Sequence, residues 1–158
     1  MNFSNRVSKL FEVVSGKEKF GPRAETWING LREDILRADP LFQPDFVHQF
    51  RPECDASGSG LGAILCQEIR GERRIIQCVS RKLGPAEKNY STIEKELLAV
   101  VFAVKKFGFY LAGPFVVVTD HQPLKWLRTV ANPQGRIARW KLFLQGYEFE
   151  VEYKPGKA

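Results

Sequence analysis

From Phe46 to Ser80 the chain carries three runs of strand composition, residues 47–54, 60–69 and 73–80. Glycine-bearing turns at Gly58-Ser59-Gly60 and Arg70-Gly71-Glu72 join them, which reads as an antiparallel meander. After a loop through Gly84-Pro85, Ser91-Thr92-Ile93-Glu94 is a capping-box pattern that opens a helix and gives Glu94 a structural task. At 3.6 residues per turn, Ile93, Leu97, Val100, Val104 and Phe107 form one apolar arc of that helix. Residues 115–119 are a β-branched run. Pro123 belongs to the first turn of a short helix containing Leu124, Trp126 and Leu127. A further helix follows Gly135, with Ile137, Trp140 and Leu144 as its stripe, and residues 148–153 alternate Phe149, Val151 and Tyr153 with glutamates. The order β-β-β-α-β-α-α-β predicts an α/β (α+β) fold, a mixed sheet with helices packed on it.

Residues 1–45 differ in character. Ser4 can cap a short helix bearing Val7, Leu10, Phe11 and Val14, ended by Gly16. A second helix is expected from about Arg23 to Arg37, with Trp27, Leu31 and Ile35 on one stripe. Pro40 and Pro44 then mark a linker. Two short amphipathic helices bury little by themselves and read as the tail of something larger. At 158 residues and 44% hydrophobic, the chain has room for one globular domain with an appended element. Its net charge of +6 favours a polyanionic partner, nucleic acid first. Cys54, Cys66 and Cys78 are an odd number with no C-x-x-C pair, which points to free thiols in a reducing, intracellular compartment, cytoplasmic or nuclear. No run is long and apolar enough to span a bilayer, so no membrane partner is expected.

Three acids stand out. Asp55 and Asp120 each close a strand-like run, and Glu96 shares a helix side with Val100, Ala103 and Phe107. An unpaired carboxylate on that side costs several kcal/mol, on the order of 2–7, or becomes protonated. A divalent metal ion is a natural partner. Each acid alone has a plainer use: Asp55 in an Asx turn, Asp120 at the start of the short helix, Glu96 as an edge side chain reaching water. Taken together they predict a common point, since carboxyl groups more than about 8 Å apart cannot share a pair of metal ions.

The wording around these acids resembles the RNase H domain of gypsy-type LTR-retrotransposon reverse transcriptases. Asp55-Ala56-Ser57-Gly58-Ser59-Gly60-Leu61-Gly62-Ala63 looks like that family's first motif. Ser80-Arg81-Lys82-Leu83 and Glu87-Lys88-Asn89-Tyr90-Ser91 look like its central block, and Glu96-Leu97-Leu98-Ala99-Val100 and Thr119-Asp120-His121-Gln122-Pro123-Leu124 like its second and third acidic motifs. Tyr153-Lys154-Pro155-Gly156-Lys157-Ala158 resembles the approach to a fourth, whose aspartate this sequence stops short of. The resemblance covers residues 46–158, and residues 1–45 resemble the thumb-side end of the preceding polymerase. It departs at Pro52, which removes a ladder donor from a strand expected to be central, and at Cys54 in place of threonine.

The resemblance implies a ribonuclease H-like fold that hydrolyses the RNA strand of RNA–DNA hybrids with two Mg²⁺ ions, Mn²⁺ as substitute. Asp55, Glu96 and Asp120 would be the catalytic and metal-holding residues, Asp55 bridging both ions. Ser57, Gly58, Arg81, Tyr90, His121, Arg136 and Arg139 would meet nucleic acid, and a polymerase domain of the same polyprotein would be a partner. Lacking the fourth acid, such a chain is expected to cleave weakly and better with Mn²⁺. The other class of reading is a non-catalytic nucleic-acid-binding or scaffold module of a pol polyprotein. If the positive charge serves hybrid binding, log K should fall with log salt by about 0.7–0.9 per phosphate contacted. Fluorescence anisotropy between low and physiological salt checks this, and a flat response would make the charge incidental.

Overall fold

A computed structural model describes residues 12–16, 19–37, 41–120, 127, 129 and 135–154. The chain divides into two units, Met1–Pro40 and Leu41–Ala158. In the first, helix α1 (Pro22–Arg37) opens on a proline, where the missing N–H costs nothing. Trp27 and Leu31 are half-buried along it, and the Thr26 hydroxyl donates to the Pro22 carbonyl. The helix expected after Ser4 lies mostly outside the described residues, as does the side chain of Ile35.

The second unit is one five-stranded mixed sheet: β1 (Phe50–Ala56), β2 (Gly60–Ile69), β3 (Glu72–Lys82), β4 (Phe115–Thr119) and β5 (Phe149–Tyr153). The spatial order is β3-β2-β1-β4-β5. The meander β1-β2-β3 is antiparallel, and β4 runs parallel to both β1 and β5. Helix α2 (Thr92–Phe107) crosses from the meander to β4, and α3 (Gly135–Gln145) crosses from β4 to β5. Of the short helix expected near Pro123, only Leu127 and Thr129 are described; both are helical and Leu127 is buried.

The capping box forms as the sequence predicts. Ser91 Oγ accepts from Glu94 N, and the Glu94 carboxylate accepts from Ser91 N. The helix behind it is less one-sided than its apolar arc implies. Residues 96–104 are buried without a break, because α2 packs on β1 and β2 and also meets α3. Ile93, in the first turn, is left 43% exposed. Each large apolar side chain buried here contributes roughly 1.5–3 kcal/mol, and Leu97, Val100, Val104 and Phe107 are wholly enclosed.

Strands β1, β3 and β5 differ from expectation, with β3 running over Glu72–Lys82 rather than 73–80. β1 begins at Phe50 rather than Val47 because Asp45 turns the chain: its Oδ1 accepts from Val47 N and its Oδ2 meets His48 Nδ1. Buried Gln67 clamps that turn, donating to the carbonyls of Asp45 and His48 and accepting from Asp45 N. β5 turns only Phe149 inward, while Val151 and Tyr153 are 39% and 52% exposed. Pro52 is accommodated in β1. It is fully buried, pairs with Leu65, and precedes the β1–β4 ladder, which begins at Glu53.

Alternation puts Phe50 and Cys54 in the core and Arg51 and Glu53 on the opposite face of the sheet. There Arg73 donates to Glu53 through Nε and Nη2, at 2.8 and 2.7 Å, tying β3 to β1 across β2. Burial alone would raise the Glu53 carboxyl, but the Arg73 guanidinium outweighs it and holds the group below its ordinary value. A depressed carboxyl stabilises the fold fully above its unfolded value and loses that effect as pH falls through the folded one. Urea unfolding between pH 6 and 3 should therefore show wild type losing stability more steeply below about pH 4.5 than Glu53→Gln does.

Candidate metal centre

The parallel register of β1 and β4 sets Cys54 beside Thr119. The next residues, Asp55 near the end of β1 and Asp120 just past β4, therefore lie side by side, about one strand spacing of 4.8 Å apart. Helix α2 packs on β1 and carries Glu96 on its buried side, 2% exposed. One carboxylate oxygen from each of Asp55, Glu96 and Asp120 lies within 4.8 Å of the others. The three acids converge as their positions in the sequence predict.

Exposure is graded across the cluster, with Asp55 open to solvent, Asp120 intermediate and Glu96 enclosed. Glu96 Oε2 is buried and makes no hydrogen bond, while the residue is held through other interactions. Asp55 and Asp120 line an open groove of about 590 Å³, together with Cys54, Gly62, Thr119 and Lys154. Burial first, then the Glu96 carboxylate, pushes the Cys54 thiol far above its ordinary value. In the metal-free chain it is thus a neutral, buried thiol. Among the described residues the cluster is three carboxylates, a hard, oxygen-only donor set that suits Mg²⁺ or Mn²⁺.

The turn after Asp55 is tightly built. Ser57 Oγ accepts from Gly60 N at 2.9 Å, and Ser57 N donates to Gly60 O at 2.8 Å. A Cβ on Gly60 would lie 3.1 Å from the Arg81 carbonyl oxygen, whereas Gly58 faces open space. Arg81 donates through Nη1 and Nη2 to Glu87, at 2.6 and 2.8 Å, and its guanidinium covers the Phe102 ring. Arg136 donates to Glu94 Oε1 and stacks 4.0 Å from the Tyr90 ring centroid. Arg139 is exposed on α3, and His121 lies outside the described residues. The sequence reading left out Lys154, which lines the groove, and Glu87, which engages Arg81; neither carries a local signal for its role.

Residues 45–147 match the family described as the RNase H-like domain found in reverse transcriptase. The chain belongs to that family. This RNase H-like domain is 45% identical over 161 residues to the retrovirus-related Pol polyprotein from transposon 297 of Drosophila melanogaster, covering 99% of this chain and 15% of that one. It is 42% identical over 157 residues to the Pol polyprotein from transposon gypsy of the same fly, covering 98% of this chain and 14% of that one. It therefore spans a small part of the length of these relatives. A foamy viral protease–reverse transcriptase solved with RNA/DNA hybrid shares its fold, with a TM-score of 0.71 at 18% identity over 99% of this chain and 22% of that one. No described helix is long and apolar enough to cross a membrane.

A buried carboxyl crowded within 4.8 Å of two others costs stability in the metal-free RNase H-like domain. Glu96→Gln should therefore stabilise it by about 1 kcal/mol in chelator, by urea unfolding, and abolish any rise in Tm on adding Mn²⁺. A net loss of stability would mean that the Glu96 carboxylate is needed by the fold itself.

Proposed function

We propose that this RNase H-like domain hydrolyses the RNA strand of RNA–DNA hybrids within a retrotransposon Pol polyprotein. In this reading Asp55, Glu96 and Asp120 hold divalent metal, Mg²⁺ with Mn²⁺ as substitute. The observation that carries it is the convergence of three carboxylates within 4.8 Å at the ends of two adjacent strands and on a buried helix face. Metal ions bound there would activate a water and stabilise the leaving 3′-oxygen.

The chain's own residues divide the remaining work. Asp55, the most exposed acid, sits at the groove where a phosphodiester would enter. Glu96, locked in the core, gives the site a fixed wall, and Asp120 between them is anchored by the β1–β4 ladder. The Ser57–Gly60 turn leaves backbone and hydroxyl groups beside Asp55, and Lys154 adds a cation to the groove. Arg139 is free in geometry to meet a phosphate, a contact that adds affinity without sequence preference. Residues 1–45 are assigned to the end of a polymerase thumb and residues 46–158 to the nuclease module. An intracellular setting, cytoplasmic or nuclear, agrees with three free thiols.

Labelled hybrid incubated with Mg²⁺ or Mn²⁺ should be cut in the RNA strand, and cleavage should fall by about a hundredfold in Asp55→Asn, which keeps the shape of the side chain but removes the charge that would hold the metal. Hybrid binding without metal-dependent cleavage would instead make this a non-catalytic binding module.

A further inference from the structure

We infer that Arg136 is a positioning residue for the metal centre and not a phosphate contact. The inference rests on the metal-site reading above. Two of its guanidinium nitrogens, Nε at 3.0 Å and Nη2 at 2.6 Å, converge on one oxygen, Glu94 Oε1. The other oxygen of the same carboxylate, Oε2, accepts from Ser91 N at 2.9 Å and Ser91 Oγ at 3.0 Å. A single side chain thus closes the cap of α2 and fastens the start of α3 to it. Tyr90, the residue before the cap, lies flat under the guanidinium at 4.0 Å and packs against Trp140 of α3. Gly135 holds φ +59 immediately before Arg136, a left-handed turn that glycine adopts without strain, so the entry of the chain into α3 is also fixed.

What this junction holds still is the first turn of α2, and the next turn carries Glu96 into the cluster with Asp55 and Asp120. The clamp grips the helix two residues from the enclosed carboxylate. A carboxylate that is 2% exposed cannot correct a shift of its helix by rotating through solvent. The geometry of the acids is therefore set by how α2 begins, and Arg136 sets that beginning from the neighbouring helix. Groups that orient a metal ligand typically contribute 10- to 100-fold to metal affinity.

The test uses the full chain and Mn²⁺ itself as probe, with binding read by the loss of the free-ion electron paramagnetic resonance signal. Hybrid affinity is measured separately in chelator. Arg136→Met should weaken Mn²⁺ binding about tenfold while leaving metal-free hybrid affinity and its salt slope within about twofold of wild type. Glu94→Gln should do the same, and the double variant should be no worse than either single one, because the two act as one unit. Arg136→Lys keeps the charge but loses the planar fork, and should fall between. It also carries the test if Arg136→Met does not fold. Unchanged Mn²⁺ binding in Arg136→Met or Arg136→Lys, with weaker hybrid binding and a salt slope lowered by about one, would overturn the inference and make Arg136 a phosphate contact. Asp55→Asn separates the two levels. If it too leaves Mn²⁺ binding intact, the metal centre itself falls; if it alone abolishes binding, only the role of Arg136 does.

Discussion

The parallel pairing of β1 with β4 decides where the acids of this domain meet. Placing Cys54 beside Thr119 makes the next two residues, Asp55 and Asp120, emerge together at one end of the sheet. A parallel neighbour requires a crossover, and the crossover is α2, which lies on β1 and β2 and delivers Glu96 to the same end. Slipping either strand by one residue would turn its acid to the other face and break up the cluster. The burial of α2 therefore serves the core and the acid cluster at once: the packing that encloses Leu97, Val100 and Val104 also encloses Glu96.

An enclosed carboxylate beside two others works against folding. The protein accepts this at one point and offsets it elsewhere through apolar packing and through ion pairs that are fully formed. Arg73 with Glu53, Arg81 with Glu87 and Arg136 with Glu94 each join separate elements around the centre. These pairs are partly exposed and individually contribute about 1 kcal/mol or less. Their value lies in direction. A two-donor guanidinium restrains the turn or helix end it grips, and a cluster of acids from separate elements keeps its geometry only where those elements are restrained. The Arg81–Glu87 pair, with Glu87 Oε2 also accepting from Gly84 N, shapes the loop that leads into Tyr90 and the α2 cap. Cation and acid thus build the frame of the site as well as its lining.

Features whose cause is local were legible in the sequence. The capping box at Ser91 and Glu94 formed as expected, since all its atoms lie within one helical turn. The limits of β2 at Gly60 and Ile69 matched because glycine-bearing turns bound it on both sides. The three acids were legible as a set because each sits in an element with strong local signals. Features set by distant contacts were not. The late start of β1 depends on Gln67 reaching back from β2 to clamp the Asp45 turn. The exposure of Val151 and Tyr153 depends on β5 lying at the sheet's end, where nothing described covers them. The pairing of Arg136 with Glu94 was not legible either, because a basic residue at a helix start carries no mark of the acid it will meet.

By itself the sequence determined the kinds of element, their order, and the acids capable of holding a metal, because periodicity, caps and turn residues act over a few bonds. Only the tertiary structure decided that β1 and β4 are neighbours, that the three carboxylates meet within 4.8 Å, and that Arg136 is joined to Glu94. Those outcomes depend on which surfaces bury one another, a property of the whole packed sheet and helix pair that no short stretch of chain contains.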